Sequence, residues 1–343
     1  MAAMLLSGIR VHDTADCPES LAWALHAVFR WAGREVPYGS LAAVLGLPFL
    51  TTSTGRDDDC LGEWAAHGRD LLLPEAGAGL GLRLRDMHPP DAARGLDRAP
   101  EFAQHFEASY LPLVLRAVEH NQPVLAWQGW PGDRRMTWGV ITEAGESGIG
   151  LAGTTVRSGG QAVPLVSPPL QLYAIEEVAR QQPKEGEMLR FAVAAAHRVL
   201  HDPVGRCCGV LTGAAAYDMW ANRLERNAVC PHDGGKSGRC HSLLAGSVIG
   251  SRKSAVEYLR RALRLVQPDG RPVVDALIAS LHGQIDALAS GLHQDRVRNL
   301  IRTPVGRASL AATVRAVRDL EQPMGATIAE LSDRIGVAGR GNF

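Results

Sequence analysis

The hydrophobic period of this chain changes twice, from helical to strand-like and back, and those changes limit what it can fold into. Between residues 123 and 178, PVLAWQGW, MTWGVITEA, GIGLAGTT and QLYAIEEV are short apolar runs parted by Gly-, Asp- or Pro-containing breaks. Neighbouring strands of one sheet have this pattern. Beyond the polar, proline-containing stretch ARQQPKEGE, the segments EMLRFAVAAAHRVLH, GVLTGAAAYDMWANRLERN, HSLLAGSVIGSRKSAVEYLRRALRLV, PVVDALIASLHGQIDALASGLH and ASLAATVRAVRDLE all carry helical periodicity. Upstream of the strands, helical spacing recurs over 18–33, in PYGSLAAVLGL, in DDDCLGEWAAHGRDLL and in APEFAQHFEASYLPLVLRAVEHN, the last interrupted near Pro112. Helices first and sheet second predict an α+β domain over residues 1–180. An α-helical domain over 183–335 follows.

The helix predicted over 18–33 has a thiol at its mouth. Leu21, Ala24, Leu25, Val28, Phe29 and Ala32 line one face, so the helix is half buried. Pro18 suits the first helical position, which makes Cys17 the N-cap, with Glu19 and Ser20 in the first turn. A thiolate there is stabilised by the positive end of the helix dipole, which serves a nucleophile. The alternative is a small buried hydrophobe.

Acidic and basic residues balance at 36 each, so neither a phosphate backbone nor an anionic membrane surface is an expected partner. Apolar residues make up 46% and charged residues 21%, the composition of a globular chain rather than a disordered one. The start, MAAMLLSGIRVHD, lacks the basic region and apolar length of a signal peptide, and no apolar run approaches the ~18 residues of a membrane span. The expected location is the cytoplasm, where six cysteines are free thiols or ligands rather than disulfides.

Cys230, His232, Cys240 and His241 lie in a glycine-rich segment between two helices. Two sulfurs and two imidazoles suffice for tetrahedral zinc, but Cys-x-His and the adjacent Cys240–His241 are poorly spaced for one ion, and neighbouring Cys207 and Cys208 offer another sulfur. The segment is read as metal-free, and no cofactor is expected, there being no phosphate loop or dinucleotide fingerprint. Trp127, Trp130 and Trp138 concentrate on two adjacent strands. Trp127 and Trp138 suit the sheet core, whereas Trp130, beside Pro131 and Gly132, is a candidate for lining a pocket. His120 ends a helix, where it compensates the dipole. His12 is the nearest upstream imidazole to Cys17.

The stretch DCPESLAWALHAVFRWAGREVPYGSLAAVLGL resembles the papain-like fold of double-glycine leader peptidases. The whole chain is similar to the butirosin-biosynthesis protein H family, with GAAAYDMWANRLE and SRKSAVEYLRRAL matching that family's Gly-x-x-Ala-Tyr-x-x-Trp helix and a later Arg-containing helix. The resemblance implies a papain-like, cysteine-peptidase-like domain followed by an α-helical domain. The implied activity is acyl transfer from a carrier-protein thioester to an amine in secondary-metabolite biosynthesis, with Cys17 as nucleophile. The partners so implied are a small-molecule amine or acyl substrate and an acyl carrier protein. The rest of the triad departs from the pattern. Where peptidase-like relatives open the second strand with a histidine, MTWGVIT has Thr137 and Trp138; where an aspartate closes the next strand, GLAGTT has Gly153 and Thr154; and no glutamine precedes Cys17 in IRVHDTADC. Losing a general base costs about 10²–10⁴ in rate, and losing an oxyanion donor about 10²–10³ more. The expectation is a cysteine-dependent acyltransferase using Cys17, with Thr137, Trp138 and Trp130 around the substrate. The alternative is a binding or accessory protein with a degenerate cleft.

Overall fold

The computed structural model describes residues 6–11, 19–54, 69–87, 101–132, 137–145, 147–156, 158–181, 183–201, 210–227 and 238–335. It is a mixed α/β structure with a β-sheet and a helical C-terminal region. Its chain groups into two compact units: one holds Glu19–Leu41 and Gly77–Pro183, the other Ala42–Ala76 together with the chain from Lys184 onward.

In the first unit, α1 (Ser20–Trp31) buries Leu21, Ala24, Leu25, Val28 and Phe29, the face read from spacing, and also Ala22 and Ala27. Its start differs from expectation. Glu19 is the N-cap, with φ −86° and ψ 95°, and its carbonyl accepts the N–H of Trp23 at 3.2 Å. The extended backbone of Glu19 holds the helix to a later start, so Cys17 precedes the cap by two residues and lies outside the described residues. A short helix, α2 (Tyr38–Val44), follows. The segment 57–68 lies outside the described residues, while Leu73–Gly79 form a short helix, α3, not anticipated from sequence.

The helical segment before the sheet is two helices, α4 (Glu101–Ser109) and α5 (Leu111–Glu119), with Pro112 in the first turn of the second. Proline costs nothing there, since its missing N–H has no partner in a first turn. His120 caps α5 and donates its Nδ1–H to the Arg116 carbonyl at 2.7 Å.

Two short strands bracket the sheet in the numbering used here: β1 (Thr52–Thr54) and β8 (Val210–Thr212) pair with each other, antiparallel, in the second unit. The sheet of the first unit is antiparallel throughout, in the order β2 (Leu82–Asp86), β7 (Gln171–Val178), β3 (Val124–Trp127), β4 (Trp138–Ala144), β5 (Leu151–Thr155), β6 (Val163–Pro164). Residues alternate between its faces. Val124, Ala126, Ile141, Leu151, Leu172 and Ala174 pack with Phe106, Tyr110, Val114 and Ala117 of the α4–α5 segment. Leu125, Val140 and Tyr173, cross-strand neighbours of one another, face the other way, with Trp138. Arg34, after α1, closes the unit by donating to the carbonyls of Ala179 at 2.9 Å and Leu80 at 3.3 Å.

The second unit is built from α6 (Glu185–His201), α7 (Gly213–Arg226), α8 (Arg239–Ala262), α9 (Arg271–Gly291), α10 (Gln294–Leu300) and α11 (Pro304–Arg334). The start of GVLTGAAAYDMW is strand rather than helix. Thr212 is extended, and the helix begins only at Gly213, whose φ of +54° a side chain would disfavour. The core joins Tyr217, Trp220 and Leu224 of α7 to Leu244 and Val248 of α8, Leu288 of α9 and Leu310, Val314 and Val317 of α11. No helix among the described residues is long and apolar enough to cross a membrane.

Candidate functional site

The first turn of α1 meets the opening of β4. The Trp138 N–H donates to Ser20 Oγ at 3.0 Å, joining the chain three residues after Cys17 to the chain one residue after Thr137. Glu19, at the cap, is buried, and its N–H donates to the Tyr38 hydroxyl at 3.2 Å. Thr137 is buried, and its carbonyl accepts the N–H of Gln128 at 3.2 Å. Trp138 is 2% exposed, and its ring leans on Tyr173 with centroids 6.2 Å apart. A turn further along α1, Trp23 stacks on Tyr38 at 4.7 Å and meets His26 edge-on at 5.4 Å. His26 lies 2.9 Å from the Val36 carbonyl through Nδ1. Only an N–H can donate to a carbonyl, so that nitrogen carries a proton.

The candidate residues are not all brought together. Thr137 and Trp138 sit side by side at the start of β4. Trp130 is 1% exposed and packs in the core on the α4–α5 face, and a side chain at Gly139 would place its Cβ 2.5 Å from the Trp130 ring. Trp130 therefore packs within the core cluster of this face. Cys17 and His12 lie outside the described residues.

Gly153 and its neighbour Thr154 on β5 leave little room beside β4. A Cβ on Gly153 would lie 2.0 Å from the Val140 carbonyl oxygen and 2.7 Å from the Ile141 Cα, so no side chain fits where β5 crosses β4. Thr154, opposite Val140, is 3% exposed, and its hydroxyl has no hydrogen-bond partner; neither does the Trp138 Nε1–H.

Cys230 and His232 lie outside the described residues. Cys240 and His241 open α8 and point into the core. His241 Nδ1 accepts the indole N–H of Trp220 at 3.1 Å. Burial, aided by the Arg223 charge, lowers its pKa to about 4, so the ring is neutral and serves as an acceptor. Among the described residues no group of three or more His, Cys, Asp or Glu is gathered to hold a metal ion.

The two motif helices of the second unit also meet in a buried polar cluster whose partners the sequence did not announce. Arg252 of α8 is fully buried and donates from NH2 to Thr51 Oγ1 at 2.8 Å, to the Tyr217 hydroxyl at 3.1 Å and to Glu321 of α11. Its Nε and NH1 reach Gln284 Oε1 and the Pro48 carbonyl, each at 2.7 Å. Tyr217 in turn donates to Glu321 at 2.9 Å. Burial pushes the Glu321 carboxyl up against the pull of Arg252. Burial and then the Glu321 charge raise Tyr217, so its hydroxyl keeps the proton it donates. All three nitrogens of the guanidinium donate within the protein, which makes the cluster a structural tie.

No protein-family model matches the chain, and a search of curated proteins finds no match.

Proposed function

We propose that the chain is a cysteine-dependent acyltransferase of small-molecule biosynthesis, with a papain-like first domain of the butirosin-biosynthesis protein H kind. Cys17 takes an acyl group from a thioester, and an amine receives it. The observation that carries this reading is the Trp138 N–H to Ser20 Oγ hydrogen bond, which ties the helix that follows Cys17 to the strand that follows Thr137. Nucleophile and base occupy these two chain positions in the peptidase-like relatives.

The chemistry suits a site poor in bases. The Cys17 thiolate adds to the thioester carbonyl, a new carbon–sulfur bond forms, and the donor's carbon–sulfur bond breaks to release a thiolate. The two thiols have similar acidity, free cysteine being near 8.5, so this exchange needs no proton transfer to its leaving group. The amine then attacks the acyl-cysteine, Cys17 departs as thiolate, and the ammonium proton passes to solvent. Amide hydrolysis would instead expel an amine, which requires a general acid. The donor in this reading is an acyl group on a carrier protein, the acceptor a small-molecule amine, the location the cytoplasm, and the two transfers use no cofactor.

Two observations favour a second reading, a non-catalytic binding or accessory protein. Gly153 leaves no space for an orienting carboxylate, and Thr137 is not a base. Release of free thiol from acyl thioesters in the presence of primary amines separates the two readings. The transferase reading expects release that falls to the uncatalysed background in Cys17→Ala. Equal rates in wild type and variant would leave the binding reading in its place.

A further inference from the structure

α6 carries His197 and His201 four residues apart, so both imidazoles leave one face of the helix, one turn from each other. Their ring centroids are 4.2 Å apart and their planes inclined at 42°. Rings this close on one helix face are within the reach of a single ion, whose bonds to imidazole nitrogen are ~2.0–2.1 Å. α11 packs along α6, and at their contact stands Gly325. A Cβ there would lie 3.1 Å from His201 Cε1 and 3.2 Å from Nε2, so the absent side chain is what admits the ring against α11. Asp333, two turns further along α11, is near enough for its charge to act on His197. His197 is half buried and His201 exposed, which leaves the pair open to solvent on one side.

We propose that His197 and His201 form a chelating site for a divalent transition-metal ion of the zinc, nickel and copper class, independent of the site at α1. Imidazole nitrogen suits these ions over magnesium or calcium, which prefer oxygen, and two histidines at i, i+4 on one helix face are the spacing that helical zinc sites use. Asp333 offsets part of the ion's charge from outside its coordination shell. No third protein ligand is gathered around the pair among the described residues. The remaining positions are therefore taken by water or an external ligand, as in an open site rather than a closed structural one.

Cobalt(II) titration of the full chain, followed by absorption spectroscopy, tests this. The expected result is one ion per chain with ligand-field bands of nitrogen and oxygen coordination and no thiolate charge-transfer band. Nickel(II) calorimetry should show binding weakened about tenfold or more in His197→Ala and in His201→Asn, a loss of the size that metal-site disruption brings. The exposed His201 position keeps the test available if the His197 variant fails to fold. Absence of binding, binding unchanged in both variants, or a spectrum dominated by thiolate charge transfer would overturn the proposal, the last by assigning the ion to cysteines elsewhere.

Discussion

A buried histidine in the helical unit carries a pH dependence whose sign is set by its surroundings. His241 has its ordinary value of 6.5 in the unfolded chain and about 4 in the fold, lowered by burial and then by Arg223. The folded state therefore resists a proton that the unfolded state accepts. The stability this gives is complete above pH 6.5 and is lost as pH falls through about 4, a contribution of about 3 kcal/mol. Urea denaturation of His241→Gln, which keeps an acceptor for the Trp220 indole, should fall less steeply than wild type between those values. Parallel pH profiles would contradict the assignment. The sequence placed His241 in a loop with candidate metal ligands, because CPHDGGKSGRCH reads as loop by composition. Its donor, Trp220 on the preceding helix, has no local signature.

At the scale of single elements, β5 shows how a motif can be legible while its geometry is not. GIGLAGTT reads correctly as a strand, and so do PVLAWQGW, MTWGVITEA and QLYAIEEV, since alternation and turn residues are local signals. Nothing local reveals that Gly153 is pressed against the backbone of β4. Introducing an aspartate there should destabilise the fold by about 3 kcal/mol or more, through overpacking and a buried unpaired carboxylate. Thr154→Val replaces a buried hydroxyl that lacks a partner with a side chain of similar shape, and should be neutral or stabilising. Chemical denaturation of the two variants checks both, and a Gly153→Asp protein as stable as wild type would contradict the packing described. The same limit explains the start of α1. Pro18 is a valid local signal for a first helical turn, but the cap fell to Glu19, whose amide bonds the hydroxyl of Tyr38, 19 residues away in sequence.

Across the whole molecule, the second unit gathers residues from distant parts of the chain around one buried ion pair. Arg252 and Thr51 are 201 positions apart, Tyr217 and Glu321 104. Helical periodicity could foretell the helices but not which polar residues would turn inward, because an isolated Glu321 or Thr51 reads as solvated surface. Removing one partner strands the other's charge in the core, so Glu321→Ala should cost about 3–5 kcal/mol. The double change Arg252→Met with Glu321→Leu should recover much of that loss, since apolar replacements need no solvation. A double variant less stable than Glu321→Ala alone would contradict this account of the cluster.

The claim at the centre of the proposed function is that Cys17 accepts an acyl group, and trapping that intermediate tests it most directly. The protein is incubated with an acyl thioester in the absence of amine, quenched in acid, and mapped by mass spectrometry. In the proposed reading the acyl-cysteine persists until an amine arrives. The account predicts one acyl group per chain on the peptide containing Cys17, discharged on adding a primary amine and absent from Cys17→Ala. A wild-type protein that stays unacylated, or carries the acyl group equally on its other cysteines, would contradict it.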